Sequence, residues 1–261
     1  MTPNTAATRI AAIALGCADP LATIRLYVQT FDCQDTDTSN ECRLGELRLV
    51  FDQATAPGLN APPSNSTAFQ HCAIIVSDMR AAMARLEAAP GWTPISRNGP
   101  EHLPAASGGA TAFKFRDPDG HPLELLQFPA DNIPEPWKRP SAGPFLGIDH
   151  SAITVSDTDE AIAFWQELGF QVTDRHWNRG PEQARMDGLN TPDAVVEVTT
   201  LMPAGGAPPH LELLCYQTPR PLLETSPNGS PFATTLHLGD APARNGPPTD
   251  PNGHRFRLLQ A

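Results

Sequence analysis

The sequence has little positive charge and no long apolar run, and both deficits limit its partners. Lysine and arginine together number 18 against 29 aspartates and glutamates, which gives a formal net charge of -11 at pH 7. A chain with this charge is repelled by nucleic-acid backbones and by anionic membrane surfaces. No apolar run approaches the roughly 20 residues that cross a bilayer. We therefore expect a small-molecule substrate as the partner, and neither nucleic acid nor a membrane.

Sequence signatures of several other protein classes are also missing. There is no phosphate-binding glycine loop and no nucleophile elbow. The five cysteines are odd in number and lack zinc-ribbon spacing, although Cys33 and Cys42 could bridge a loop. Residues 1–9 have no signal-peptide pattern. We expect reduced thiols and a cytoplasmic protein.

Two segments of the chain are near copies of each other. His-Cys-Ala-Ile-Ile-Val-Ser-Asp occupies residues 71–78, and His-Ser-Ala-Ile-Thr-Val-Ser-Asp occupies residues 150–157. The alternating apolar residues predict a strand, and the closing aspartate predicts the N-cap of a helix. Each copy later reaches an apolar strand with one glutamate, Glu124 in the first and Glu212 in the second. We predict that each copy forms a β-α-β-β-β module.

Two fainter copies flank this pair. In the first, Asp19 and Pro20 predict a helix start after an apolar strand. In the last, residues 250–260 repeat the turn and strand of residues 117–127, but no helix fits before them. The predicted fold class is α+β with four modules, the fourth lacking its helix. The predicted organisation is a degenerate first module at 8–67, a second at 68–129, a proline-rich linker at 130–145, a third at 146–217 and a truncated fourth at 230–261.

The two clear copies each carry one histidine and one glutamate at equivalent positions. Glu124 and Glu212 lie among leucines, where an unpaired carboxylate would be costly to bury. A divalent cation is a sufficient partner for such carboxylates, and histidine is a common further ligand. We therefore predict metal ligands at His71, Glu124, His150 and Glu212. The alternative is a pair of core histidines with solvent-facing glutamates.

The outer copies differ at these positions. In register with the first-strand histidines lie Ala12 and Ala233. In register with the last-strand glutamates lie Arg48 and Arg257. The outer copies are therefore predicted to lack a metal site.

The repeated motifs resemble those of the vicinal oxygen chelate superfamily. They are the β-α-β-β-β modules, the His-x-x-Ile-x-Val-x-Asp openings and the Asp-Pro-Asp-Gly-His-x-Leu-Glu closing. This superfamily includes glyoxalase I, methylmalonyl-CoA epimerase, extradiol dioxygenases, and fosfomycin and bleomycin resistance proteins. The resemblance covers nearly the whole chain and is weakest over residues 1–67 and 217–248. It implies two cupped mixed sheets with helices on the outside, and a metal held in a cup by first-strand and last-strand residues.

The resemblance leaves two pairings of the modules open. If module two faces module three, the chain offers the His, Glu, His, Glu set of a bacterial-type glyoxalase I around one ion. If module one pairs with module two, as in family dioxygenases, each cup has one histidine and one glutamate, which are too few for a tight site. Because only the outer modules lack the histidine and glutamate, we expect the first pairing.

The resemblance also implies a function. It is that of a metal-dependent, glyoxalase-like lyase or isomerase that acts on a small vicinal-oxygen substrate through an enediolate-type intermediate. Two imidazoles and two carboxylates suit Ni, Co, Mn, Fe or Zn, and Glu124 or Glu212 would be the catalytic base. The alternatives are an extradiol-type ring-cleaving dioxygenase with Fe(II) and a metal-free, resistance-type protein that sequesters a ligand.

Three further residues are candidates for contact with the substrate. Residues 176–188 are polar and are predicted to form a loop, either a lid over the cup or an ordinary solvated loop. In a lid, Arg179 or Arg185 could meet an anionic substrate. His237 lies four residues past the register of the first-strand histidines, so it is expected on the same face of its strand.

Overall fold

Two mixed sheets form the framework of the computed structural model, which describes residues 7–36, 38–56, 61–105, 108–226 and 229–259. The fold class is α+β, as predicted. The strands within these residues are β1 (Arg9–Cys17), β2 (Gln34–Asp35), β3 (Glu41–Leu44), β4 (Leu47–Gln53), β5 (Gln70–Val76), β6 (Thr93–Pro94), β7 (Glu101–His102), β8 (Thr111–Arg116), β9 (Pro122–Gln127), β10 (Phe145–Thr154), β11 (Phe170–Gly180), β12 (Ala194–Pro203), β13 (His210–Thr218), β14 (Thr234–Gly239) and β15 (Arg255–Leu258). The α-helices are α1 (Pro20–Phe31), α2 (Met79–Glu87), α3 (Thr158–Glu167) and α4 (Pro181–Met186).

The larger sheet contains the two clear copies of the repeat. Its strand order is β11-β12-β13-β10-β5-β9-β8-β6, and β7 also pairs with β8. The first strands of the two copies, β5 and β10, are antiparallel neighbours at the centre. Each is flanked by the parallel last strand of its own copy, β9 or β13. Copies two and three therefore face each other, which is the expected pairing.

The smaller sheet is built from the two outer copies. Its order is β15-β14-β1-β4-β3-β2. Here β1 and β14 are the antiparallel central pair, with β4 and β15 parallel beside them. The same arrangement therefore occurs twice, although the exact boundaries of the four modules stay a prediction.

An aspartate begins each of the three longer helices. The side chains of Asp19, Asp78 and Asp157 each accept a hydrogen bond from the backbone N–H three residues later. The free N–H groups of a first helical turn favour an acceptor at this position. The repeated aspartate therefore determines where each first strand ends and its helix starts.

The three longer helices lie outside the cups and join the two sheets into one core. The ring of Phe31 in α1 lies 6.0 Å from that of Phe115 in β8 and 5.5 Å from that of Phe145 in β10. The ring of Phe164 in α3 lies 5.8 Å from that of Phe256 in β15. Helices α1 and α3 thus pack on the face of the sheets opposite the cups, and their aromatic side chains contact strands of the other sheet.

Alternation along β5 separates the core from the cup. Cys72 and Ile74 pack in the core shared with the helices. Ile75 belongs to a separate cluster with Leu126 and Trp137, on the face that His71 shares. The strand is buried on both faces, which explains its nearly continuous apolar sequence.

Two predicted segments have a different structure. Residues 43–51, which fall in the predicted first module at 8–67, form a hairpin of β3 and β4, because Gly45 adopts a left-handed φ of 62° at the turn. The predicted loop at 176–188 is wrong for most of its length, since β11 continues to residue 180. Pro181 then begins α4, where its fixed φ suits the first helical position.

The strand register corrects one alignment in the last copy. Arg257 pairs with His237 in β14. In the larger sheet, each glutamate pairs with the residue two positions after the first-strand histidine of its own copy. The residue equivalent to His150 is therefore Thr235, two residues before His237, and the predicted Ala233 is wrong. The physical reason is the shortened connection between β14 and β15, which offers no helix N-cap by which to align the first strand.

The register also corrects the first copy. Val50 pairs with Ala14, the second residue after Ala12, so Val50 is the equivalent of Glu124. The predicted equivalent, Arg48, pairs with Ala12 itself. The hairpin turn moves the strand by two residues, which a simple count along the sequence does not reveal.

The remaining chain is less regular. The predicted linker contains one 3-10 turn, Glu135–Trp137, which buries the Trp137 side chain. All five cysteines are buried and free. None of the described helices is long and apolar enough to cross a membrane.

Candidate metal centre

The predicted histidines lie on one face at the centre of the larger sheet. His71 in β5 is opposite Ala152 in β10, and His150 is opposite Ala73. Directly opposed residues of antiparallel strands project to the same face. The two imidazole rings therefore meet diagonally across two small side chains, with their centroids 5.6 Å apart.

The predicted glutamates reach this face from the flanking strands. Glu124 pairs with Ala73, and Glu212 pairs with Ala152. Each alanine is the second residue after a histidine, so side-chain alternation places both carboxylates beside the imidazoles. The four predicted ligands converge at the floor of one cup, which we call the metal cup.

The distances within this cluster are short. His71 Nε2 lies 2.8 Å from Glu124 Oε2, which lies 3.9 Å from His150 Nε2. Potential ligand atoms of these three residues all lie within 4.8 Å of one another. Glu212 approaches from the other side, with its Oε2 3.6 Å from His150 Nε2. His150 therefore contacts both carboxylates.

Both glutamates are ionised at neutral pH. Burial opposes ionisation of Glu124, but the charge of Lys114 and the hydrogen bond with His71 outweigh it and lower the pKa of that carboxyl to about 2. Burial also opposes ionisation of Glu212, but His150 and His210 outweigh it and lower its pKa. The cup thus contains two buried negative charges.

The two histidines differ in charge. Burial, with a smaller effect of Lys114, lowers the pKa of His71 to about 4. Burial acts in the same direction on His150, but the carboxylates of Glu212 and Asp149 outweigh it and raise its pKa to about 9. His71 is therefore neutral, and His150 carries a proton that a bound metal ion would displace.

Asp149 was not predicted from the sequence, yet it determines how His150 is oriented. Its Oδ2 lies 3.1 Å from His150 Nδ1, and its Oδ1 accepts a 2.9 Å hydrogen bond from Trp137 Nε1. A carboxylate on one imidazole nitrogen leaves the other nitrogen for a metal. The repeat gave no signal for this residue, because Gln70 precedes the histidine in the other copy.

His210 is a third imidazole in the cup. Its ring centroid lies 5.3 Å from that of His150, and its Nε2 lies 3.4 Å from Glu212 Oε1. Asp149, His150 and His210 form a second group whose potential ligand atoms lie within 4.8 Å of one another. A signal was present in the sequence, because His210 precedes Glu212 by two residues in a strand and so shares its face.

A buried ion pair lies beside the cluster. Lys114 Nζ in β8 lies 2.7 Å from Asp187 Oδ1, and both side chains are almost fully buried. Asp187 Oδ2 also accepts hydrogen bonds from Tyr216 Oη at 2.8 Å and Gln183 Nε2 at 2.7 Å. The signal in the sequence was a lysine between two phenylalanines of a strand.

Solved structures with a similar fold are glyoxalases and related proteins. Glyoxalase I from Zea mays is 17% identical, with 89% of this chain and 74% of that chain covered at a TM-score of 0.53. A mutant of the same protein gives the same identity and TM-score, with 76% of its chain covered. Methylmalonyl-CoA epimerase from Mycobacterium tuberculosis is 20% identical over 60% of this chain and 89% of its own, at a TM-score of 0.40. At these identities the maize protein supports the fold alone.

The sequence of the second half agrees with this likeness. The family model described as Glyoxalase/Bleomycin resistance protein/Dioxygenase superfamily matches residues 147–258. Over these residues the chain is similar to the vicinal oxygen chelate superfamily. No curated protein matches the sequence. The matched residues include His150 and Glu212, half of the predicted ligand set.

The metal cup opens into a cavity of about 670 Å³. The floor is formed by the charged cluster, and the walls are mainly apolar. Apolar wall residues are Leu103, Ala110, Leu126, Phe128, Trp137, Met186, Val198, Met202 and Leu214. Among the described residues that line the cavity, Lys114 is the only lysine or arginine. A cavity of this size suits a small organic ligand.

The donor set in the cup fits a divalent metal ion. Two imidazoles and two carboxylates converge, and the carboxylates carry negative charge that no described arginine neutralises within 4 Å. The buried Nδ1 of His71 has no hydrogen-bond partner among the described residues. Mixed nitrogen and oxygen donors of this kind suit transition metals.

The three candidates for substrate contact lie elsewhere. Arg179 is exposed and its guanidinium lies over the ring of Trp177, 5.2 Å from the centroid. Arg185 is held by two hydrogen bonds to Glu101, 2.7 and 2.9 Å long. His237 lies in β14 of the smaller sheet. None of the three lines the metal cup. His176 and Asn178 of β11 line it, so the next residue, Arg179, faces away. Arg185 is held by Glu101, and β14 belongs to the other sheet.

Proposed function

We propose that this chain is a metal-dependent, glyoxalase-like lyase or isomerase for a small substrate with vicinal oxygens. The observation that carries the proposal is the convergence of His71, Glu124 and His150 within 4.8 Å, with Glu212 3.6 Å from His150. Four such donors at the base of a cavity are typical of a catalytic metal site that leaves positions open for substrate.

His71 and His150 would hold the metal through Nε2, and Glu124 and Glu212 through carboxylate oxygens. A bound divalent ion would act as a Lewis acid that stabilises negative charge on the substrate oxygens. With a metal bound, Asp149 would accept a hydrogen bond from His150 Nδ1 and leave Nε2 to the metal. Trp137 fixes Asp149 in turn. The orientation of one ligand thus depends on a side chain from the linker between the copies.

Glu212 is the better candidate for the residue that moves the substrate proton. Its side chain is 19% exposed against 6% for Glu124, and it lies toward His210 rather than between two ligands. Its lowered pKa leaves it ionised and able to accept a proton at neutral pH. His210 Nε2, 3.4 Å from Glu212 Oε1, is placed to exchange that proton with the cavity.

The cavity wall limits the substrate. Its apolar side chains favour a substrate with an apolar body. Because Lys114 is already paired with Asp187, no described lysine or arginine of the lining is free to bind an anionic group. We propose a small hydroxy- or oxo-carbonyl compound with one apolar substituent.

Elemental analysis of the purified protein tests the metal requirement. We expect about one divalent ion per chain, and a higher melting temperature on adding Ni, Co, Mn, Fe or Zn to the metal-free protein. Absence of both results contradicts the proposal.

Proton exchange tests the chemistry. With hydroxyacetone in D₂O, the metal-loaded protein should catalyse the incorporation of deuterium at the carbon next to the carbonyl. NMR measures this exchange. Glu212→Gln should abolish exchange while retaining more metal than Glu124→Gln. Exchange that persists in Glu212→Gln but not in Glu124→Gln would assign the proton transfer to Glu124.

A ring-cleaving dioxygenase with Fe(II) is the second candidate. The group His71, Glu124 and His150 consists of two histidines and one carboxylate, the composition found in non-haem Fe(II) oxygenases. Oxygen consumption with catechol by the Fe(II)-loaded protein would favour this candidate. Deuterium exchange without oxygen consumption would favour the lyase or isomerase.

A further inference from the structure

The smaller sheet forms a second cup with its own cavity. The cavity has a volume of about 460 Å³ and lies over the strands of the outer copies. We define the second cup by the residues equivalent to the metal ligands, which are Ala12, Val50, Thr235 and Arg257. None of these residues is a usual metal ligand. The second cup therefore cannot hold a metal in the way that the first does.

The replacements change the charge of the cup. The pair of Arg257 with His237 is equivalent to the pair of Glu212 with Ala152 in the larger sheet. An arginine therefore lies where the metal cup has a carboxylate. Arg255 lies two residues earlier on the same face of β15 and also lines the cavity. Neither arginine forms a salt bridge with a carboxylate of the described residues, which is unusual in a chain of net charge -11.

The register places further groups around Arg257. A row across the sheet runs from Arg257 through His237 and Ala12 to Arg48. Nearby carboxylates are fewer than the arginines, namely Asp52 at the cavity wall and Glu41, 3.4 Å from Arg48. The second cup is therefore positive, whereas four carboxylates and one lysine line the cavity of the metal cup.

The imidazole beside Arg257 is uncharged at neutral pH. Burial and, after it, Arg257 lower the pKa of His237, with a smaller effect of Arg48 and opposing effects of Asp52 and Glu41. A neutral imidazole can donate one hydrogen bond without adding charge. Thr235 offers a hydroxyl at the same cavity wall.

We propose that the second cup binds a small anion with a carboxylate or phosphate group, through Arg257 and Arg255 with Thr235 and His237 beside them. Guanidinium groups bind such oxyanions through paired hydrogen bonds. The cavity volume is that of a metabolite-sized site. This binding site is independent of the metal cup, since it belongs to the other sheet.

Calorimetric titration of the full-length protein tests the proposal, with inorganic phosphate and succinate as probes and sodium chloride at matched ionic strength as the blank. We expect saturable binding of one anion per chain. Arg257→Gln should weaken it by about 10-fold or more, and Arg257→Lys should weaken it less. Because Arg257 is exposed and unpaired with any described carboxylate, both variants should fold.

The control is Arg80→Gln, which removes an exposed arginine of α2 and should leave binding unchanged. Saturation by phosphate alone or by succinate alone supports the proposal and tells which group is recognised. Absence of saturable binding, or binding equal in wild type and Arg257→Gln, overturns it. Metal content should be the same in wild type and Arg257→Gln, so failure here is distinguishable from failure of the metal site.

Discussion

His150 Nδ1 lies 3.1 Å from the Oδ2 atom of Asp149, its neighbour in the chain. Successive residues of a regular strand point to opposite faces, but a register shift between residues 148 and 150 brings these two side chains together. The irregularity therefore gives the Nδ1 atom of His150 a carboxylate partner, which the Nδ1 atom of His71 lacks among the described residues. The two histidines of the repeat are not equivalent, and this difference has consequences that can be measured.

The substitution Asp149→Asn should weaken metal binding. An asparagine removes the negative charge that orients His150, so we expect metal affinity to fall by about 10- to 100-fold. Competition titration with a chelator of known affinity measures the change. Asp174→Asn is the control, because Asp174 lines the same cavity but contacts His176 instead. Equal affinities in the two variants would show that Asp149 does not position His150.

His71→Ala and His150→Ala should each remove the metal. Glu124 Oε2 lies 2.8 Å from one imidazole and 3.9 Å from the other, so both histidines belong to one site. Elemental analysis after gel filtration should find less than a tenth of the wild-type metal content in either variant, since loss of one of four ligands leaves an incomplete site. His102→Ala, on an exposed edge strand, should retain the metal. Full retention in one of the two variants would indicate two separate sites.

The sequence predicted these four residues because they recur. A histidine and a glutamate at the same places in two copies carry information that a single residue does not. Asp149 and His210 could not be found in this way, since Gln70 and Pro122 occupy the matching positions of the other copy. Trp137 could not be predicted at all, because its contact with the site depends on the path of an irregular linker.

The fold was predictable for the same reason, and its errors lie where the repeat is weakest. Residue counting placed Ala233 and Arg48 two residues away from the true equivalents, Thr235 and Val50. Strand register depends on pairing with a distant strand, which a single sequence does not reveal. The α4 helix was missed because Pro181 and the polar residues after it are also typical of loops.

The substitution Asp117→Asn should destabilise the protein. Asp117 Oδ2 lies 2.9 Å from His121 Nδ1 and accepts a 2.9 Å hydrogen bond from Tyr27 Oη, so it links the first and second copies. Loss of one partner of a buried pair leaves the other uncompensated, and we expect about 3 kcal/mol lower free energy of unfolding. Urea denaturation measures the change.

The fourth copy provides a matched control. Asp250 accepts two backbone hydrogen bonds in an equivalent turn, but the His254 imidazole faces the backbone oxygen of Thr154 instead. Asp250→Asn therefore breaks no acid–base pair and should cost about 1 kcal/mol or less. Equal losses in the two variants would mean that the pair with His121 contributes little.

The cost of Asp117→Asn should also depend on pH. Burial opposes ionisation of both partners, but their mutual attraction outweighs it, which lowers the pKa of Asp117 and raises that of His121. The contribution of Asp117 to stability is lost as pH falls below about 4. The contribution of His121 is complete only below about pH 6.5 and declines as pH rises through its raised pKa. The difference between wild type and variant should therefore be largest between those two values. A difference that is constant with pH contradicts the ion pair.

The substitution Lys114→Met should show whether the buried pair beside the metal cup supports the fold. Methionine fills a similar volume but leaves Asp187 with two neutral donors, so we expect about 3 kcal/mol lower free energy of unfolding in urea. Lys138→Met, which removes an exposed pair with Glu135, should cost less than about 0.5 kcal/mol. The charge of Lys114 also keeps Glu124 ionised, so the variant should release its metal at a higher pH than wild type during acid titration. Unchanged stability together with an unchanged metal-release pH would mean that Lys114 acts on neither the fold nor the site.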